Sequence, residues 1–357
     1  MSSAGAFSPD YPAARSRFRN AASAAGARLE SHRVDGAGPD GLELSIDVAL
    51  WGGPERRRAV VVSSGLHGVE GFLGAAVQTA WLEARFRRER LPPDARLVFL
   101  HGLNPFGFAW RRRVNEDNVD LNRNFLPPGE PYAGAPPHYR GLDGLLNPPS
   151  PPAGCELLLL KAALAELRLG RGVLRRTLPV GQYEFPKGLF FGGHGPSQTH
   201  RIVAEKLPGW LAGVEEVLHL DLHTGLGRWA GCAVWPSDPV DSPRACWLRE
   251  RLSENAATQS YSARGEWGTW CEARFADRSY RFATVEFGTY SQFRVAAALR
   301  AENRAHHWCP PGDPRLDRAK LQLVEAFAPS DPRWRDAVVR RGLALLDRAV
   351  STPHGAG

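Results

Sequence analysis

At 357 residues, with 43% hydrophobic and 23% charged side chains, the chain can bury a core without covalent staples, and its usage excludes fibrous and wholly disordered classes. The formal charge is +7, but 38 acids are interspersed among 45 bases, and the short runs Arg56, Arg57, Arg58 and Arg111, Arg112, Arg113 lack any accompanying recognition motif, so nucleic acid is not an expected partner. Five widely spaced cysteines (Cys155, Cys232, Cys246, Cys271, Cys309) make neither a disulfide framework nor a paired thiolate motif. No stretch approaches a membrane span, and MSSAGAFSPDYPAARSRF has no apolar core of signal-peptide length, so no membrane partner and a cytoplasmic location are expected.

In chain order, residues 11–28 carry Phe18, Ala22 and Ala25 at helical spacing and predict an amphipathic helix ending near Gly26. Residues 43–51, ELSIDVALW, alternate as a half-buried strand does, a turn is expected over 54–57, and 59–63, AVVVS, predict a buried strand. That strand runs into Gly65-Leu66-His67-Gly68-Val69-Glu70-Gly71 and an Ala-rich helical pattern to about Arg87. Residues 96–103 predict the next strand, with a turn at Asn104-Pro105-Phe106-Gly107. Strand, loop, helix, strand is the pattern of an α/β unit, whose ligands sit at the carboxyl edge of the sheet.

The 37 glycines and 29 prolines predict much ordered loop, concentrated over residues 125–152 and 179–197, with an apolar helix over 155–169 between them. Residues 217–221 predict a strand delivering His223, 232–235 a short neighbour, and 282–287, FATVEF, a further core strand stopped by Gly288. Helical patterns follow at 319–327 and 334–345. No internal repeat or linker interrupts the chain. The fold expected is α/β: one elaborated domain over residues 1–357, with a mixed, largely parallel central sheet and helices on both faces.

His67 and Glu70 lie three apart after a strand, among glycines that permit close backbone approach, and His223 ends another strand. Two histidines, a glutamate and a water form a known catalytic zinc arrangement. By spacing alone, a structural hydrogen-bonded pair of His67 and Glu70 stays open as the alternative.

Four blocks in order resemble the zinc carboxypeptidase family, carboxypeptidase A type: HGVEG, NPFG with RRVNEDNVDLNRNF, DLHTG, and VEFG, together covering residues 59–289. The loop pattern is most similar to a little-characterised bacterial branch. The resemblance implies that His67, Glu70 and His223 ligate one zinc ion per chain and that Glu286 is general base and then proton donor. It implies that Arg113 stabilises charge on the carbonyl oxygen, and that Asn122 and Arg123 bind a free substrate carboxylate. A mobile substrate-binding tyrosine is matched by Tyr261, with Tyr290 as a second tyrosine near Glu286.

The expected activity is therefore hydrolysis of an amide or peptide bond next to a residue with a free carboxylate. An N-acyl amino acid amidohydrolase, or a non-catalytic carboxylate-binding protein on the same scaffold, are the alternatives. Arg111 and Arg112 are read as solvated charge, and Asp120 as support for the Asn122-Arg123 loop. Asp221 is read either as a partner orienting His223 or as a strand-end hydrogen bond. Phe106, where the family commonly has aspartate, is read as structural. His194, Gln198 and His200 are read as loop-stabilising groups, with an acceptor pocket as the alternative, and Trp267 and Trp270 as pocket wall or core.

Overall fold

The protein is described by a computed structural model over residues 3–53, 55–86, 94–153, 156–170, 172–239, 241–252 and 263–352. Its strands are β1 (Arg28–Ala37), β2 (Glu43–Trp51), β3 (Arg58–Ser64), β4 (Ala95–His101), β5 (Glu216–Thr224), β6 (Cys232–Pro236) and β7 (Ser279–Phe287). The helices are α1 (Tyr11–Ala24), α2 (Gly71–Trp81), α3 (Pro105–Ala109), α4 (Tyr139–Leu146), α5 (Leu158–Leu169), α6 (Val173–Thr177), α7 (Gln198–Trp210), α8 (Pro243–Leu252), α9 (Trp267–Arg274), α10 (Gln292–Trp308), α11 (Pro314–Phe327) and α12 (Pro332–Ser351). No helix among the described residues is long and apolar enough to cross a membrane.

All the strands join one sheet in the order β1-β2-β4-β3-β5-β7-β6. The inner four, β4-β3-β5-β7, run parallel, while β1, β2 and β6 are antiparallel flanks. Every residue of β3, RAVVVSS, is buried, as a central strand covered on both faces demands. Val60 and Val62 face α1, α2, α8 and α12, whereas Ala59 and Val61 face α7 and α9. This is the mixed, largely parallel sheet with helices on both faces that the sequence predicts.

The sheet positions the site through its connectivity. From β3 the chain passes to β4 on one side, and later returns as β5 on the other side of β3. The carboxyl end of β3 is thus a topological switch point, where loops diverge and leave a crevice. Residues 65–70 leave β3 there, and β5 and β7 end beside it.

Several elements differ from expectation. β1 was not predicted: its sequence, RLESHRVDGA, buries only Val34, so its pairing with β2 is set by backbone hydrogen bonds rather than by an apolar pattern. The loop over 125–152 holds a short helix, α4, which buries Tyr139, Leu142 and Leu146. α10 was also missed, because its buried face includes Arg300, Glu302, Asn303 and Arg304. α5 forms as expected but buries none of its side chains, leaving Leu159, Leu160, Leu164 and Leu167 exposed. The predicted turn at 54–57, the helix end at Arg87 and Cys155 fall wholly or partly outside the described residues.

Candidate metal centre

The HGVE segment leaves β3 as a short turn, Gly68–Glu70, that opens α2. Its backbone is bonded to the loop after α3: the Gly68 amide donates to the Arg113 carbonyl (3.0 Å) and the Val69 amide to the Arg112 carbonyl (2.8 Å). A Cβ on Gly68 would lie 2.1 Å from a Gly107 backbone carbon, so only glycine lets these two loops meet. This close approach carries Arg113 to Glu70. On the other flank, parallel pairing sets His223 of β5 directly opposite Glu286 of β7, with both side chains on the same face of the sheet.

His67, Glu70 and His223 are buried, and one ligating atom from each lies within 4.8 Å of the others. Glu70 bridges the histidines: Oε1 is 2.9 Å from His67 Nδ1, and Oε2 is 2.9 Å from His223 Nδ1. The opposite ring nitrogens are held by carboxylates, His67 Nε2 by Asp120 at 3.0 Å and His223 Nε2 by Asp221 at 2.6 Å. Both Nδ1 atoms therefore converge on one carboxylate, with a carboxylate behind each ring, a donor set that could hold a metal ion. Among the described residues this is the one group of three or more His, Cys, Asp or Glu side chains close enough to hold an ion.

The electrostatics match. Burial alone would raise the Glu70 carboxyl, but His67 and His223 beside it outweigh burial and hold it well below the usual carboxylate range. Burial disfavours a charged His223, yet Asp221 and Glu70 raise it well above the ordinary histidine value. Glu286 is pushed up to about 8, first by burial and then by the negative charge of Glu70. Its Oε1 accepts a 2.7 Å hydrogen bond from the Leu226 amide, which fixes the carboxyl at the edge of the cluster.

Arg113 donates to Asp120 (3.0 Å) and to Glu70 (3.3 Å), and its side chain keeps 14% exposure. Asn122 accepts from the Trp267 amide through Oδ1 (3.0 Å), which fixes its side-chain amide. Arg123 is buried, and Gly181 packs on its stem: a Cβ there would lie 2.7 Å from Arg123 Cδ. The structure thus brings His67, Glu70, His223, Glu286 and Arg113 together and sets Asn122 and Arg123 on the loop held by Asp120. Tyr261 lies outside the described residues.

Some readings need correction. Arg112 is not solvated charge: it is fully buried, donating to Glu302 (2.8 Å) and Asn118 (3.0 Å). The Tyr290 hydroxyl is engaged by Glu325 on α11, to which it donates at 2.5 Å, with Arg294 over its ring. Gln198 bonds Asp35 and Glu116, while His200 contacts the Asn124 carbonyl, contacts that agree with the loop-stabilising reading of both rather than correct it. Trp267 and Trp270 belong to the core with Phe125. Asp120 supports its loop as expected, accepting from the Asn122 amide, but its contact with His67 was missed, since nothing in the local sequence marks it. For Asp221, the contact with His223 selects the orienting reading.

Fold and site together define an α/β protein with a buried two-histidine, one-carboxylate centre at the switch point of its sheet. The chain belongs to the family described as "Protein of unknown function (DUF2817)", whose pattern matches residues 7–341. No curated protein matches it. Similar solved structures include the murein-tripeptide amidase MpaA from Escherichia coli O157, at 18% identity over 79% of this chain and 92% of that one, with a TM-score of 0.39. A metallo-carboxypeptidase from Pseudomonas aeruginosa is similar at 16% identity, over 94% and 69% of the two chains (TM-score 0.37). Carboxypeptidase A from Helicoverpa armigera is similar at 13% identity, over 89% and 74% (TM-score 0.44).

Proposed function

We propose that the protein is a zinc-dependent hydrolase that cleaves an amide or peptide bond next to a residue with a free carboxylate. The observation that supports this reading best is the convergence of His67, Glu70 and His223, with Glu286 on the adjacent strand and Arg113 on the facing loop. His67, Glu70 and His223 would hold one zinc ion per chain, and that ion would supply Lewis-acid activation of a carbonyl and of water. Glu286 takes the proton of the attacking water and delivers it to the leaving nitrogen, a role that suits a buried carboxyl fixed by the Leu226 amide. Arg113, anchored by Asp120 and still partly exposed, offers a preorganised cation to the developing oxyanion.

Asn122 and Arg123 hold the substrate carboxylate, and Tyr261 is carried as a further substrate-binding residue from the sequence resemblance alone. The substrate is a short peptide or an acylated amino acid. The reading includes a cytoplasmic setting.

The test is the metal content of protein purified without added metal, with hydrolysis of N-acyl amino acids and short peptides followed before and after chelation. Zinc at one per chain and chelator-sensitive release of a free amino acid support the reading. Carboxylate binding without metal or turnover supports a non-catalytic binding protein instead.

A further inference from the structure

Behind His223, the face of the sheet that packs on α9 carries a continuous line of buried polar side chains. Asp221 Oδ2 meets His223 Nε2 at 2.6 Å, and Asp221 Oδ1 accepts from Ser63 Oγ at 2.6 Å. Ser63 Oγ is 2.8 Å from His219 Nε2, and His219 Nδ1 is 2.8 Å from Tyr280 Oη. Ser63, His219, Asp221, His223 and Tyr280 are all buried. The line runs across three strands: β3 and β5 pair Ser63 with Asp221, and β5 and β7 pair His219 with Phe282, beside which Tyr280 lies.

The direction of every hydrogen follows from the chemistry of the partners. Asp221 as a carboxylate can only accept, so Ser63 spends its one hydroxyl hydrogen on Oδ1. The Ser63 oxygen then accepts from His219, which places the His219 proton on Nε2. Burial pushes His219 down to about 4, so at neutral pH its ring carries only that one proton. Nδ1 is therefore an acceptor, and Tyr280 donates to it. At the other end, His223 donates from Nε2 to Asp221, and once neutral it presents the Nδ1 lone pair on the side of Glu70. Tyr280, His219 and Ser63 donate in series toward Asp221, which accepts from His223 on its other side, so each bond in the series polarises the next. The His219 ring is itself fixed edge-on to Trp267 (5.6 Å) and Phe282 (4.6 Å).

We infer that Ser63 and His219, with Tyr280 behind them, are positioning residues for the metal centre: they lock the Asp221 carboxylate so that His223 keeps Nδ1 free and aimed at the ion. This rests on the metal-site reading above. None of these three touches the candidate ligands, so their effect must pass through Asp221.

The experiment uses the full chain with Ser63→Ala, His219→Phe, the double variant and Asp221→Asn. Zinc affinity is measured by competition with a chromophoric chelator, the visible spectrum of the cobalt-loaded protein is recorded, and thermal unfolding of each metal-free protein is followed. Ser63→Ala and His219→Phe should each weaken zinc binding by roughly 10-fold or more, the range found when partners behind a metal ligand are removed. The double variant should lose little beyond the larger single loss, because one break already interrupts the line. The cobalt band should shift in each variant. Ser63→Ala, the smaller change, carries the test if His219→Phe does not fold. Zinc affinity and cobalt spectrum unchanged in Ser63→Ala, or single losses that simply add, would overturn the inference while leaving the metal site intact. A wild-type protein that binds neither zinc nor cobalt overturns the metal reading itself, and this inference with it.

Discussion

Glu286 and Arg123 can be separated by what their loss does to turnover. Glu286→Gln keeps the shape and the Leu226 contact but cannot take a proton, so kcat should fall by about 10²–10⁴-fold with zinc retained, measured by single-turnover kinetics and metal analysis. Arg123→Ala should instead lower kcat/KM by about 10–100-fold on substrates with a free carboxylate, as loss of a charge-assisted bond of about 1.5–3 kcal/mol implies, and have little effect on amide-capped analogues. Protonation gives a third test. In the metal-free protein Glu286 sits at about 8 and His223 well above its ordinary value, so at pH 7 both hold protons that a cation must displace. Zinc uptake should therefore release protons, and apparent affinity should climb as pH rises through 8. Calorimetry in buffers of different ionisation enthalpy should show fewer protons released by Glu286→Gln.

At the level of elements, the strand ends were legible and the contacts between strands were not. His67, Glu70 and His223 stand out as polar groups where a run of β-branched or alternating residues stops at glycine or a turn, but the choice between a metal site and a structural pair, and the role of Glu286, came only from the family resemblance. Ser63, His219 and Asp120 acquire their roles only from register and loop packing, which a single sequence does not encode locally. Arg112 and Arg113 look alike as neighbours, yet one is fully buried against Glu302 and the other reaches Glu70. β1 and α10 escaped for opposite reasons, the first having almost no buried apolar side and the second burying charged groups that blur its period. The packing of Gly68 on Gly107 makes an element-scale prediction. Gly68→Ala should cost ~1–3 kcal/mol by overpacking, read by denaturant unfolding, and should weaken zinc binding as the HGVE turn is pushed away from the Arg112-Arg113 backbone.

For the whole molecule, metal and fold should be linked by mass action. A ligand that binds only the native state adds ~2.7 kcal/mol at 100 times its dissociation constant, so zinc should raise the unfolding temperature and chelation should reverse it. The position of β3 says when in folding that stabilisation can arise. Its partner on one side, β4, follows after about thirty residues, but its partner on the other, β5, begins at Glu216, so the second seam must close a loop of roughly 150 residues. Each ligand pair that includes His223 spans that long closure. Contacts of such sequence separation are the slow ones in folding. A nascent or truncated chain ending before β5 holds His67 and Glu70 alone, and metal capture during refolding should follow the formation of the sheet rather than guide it.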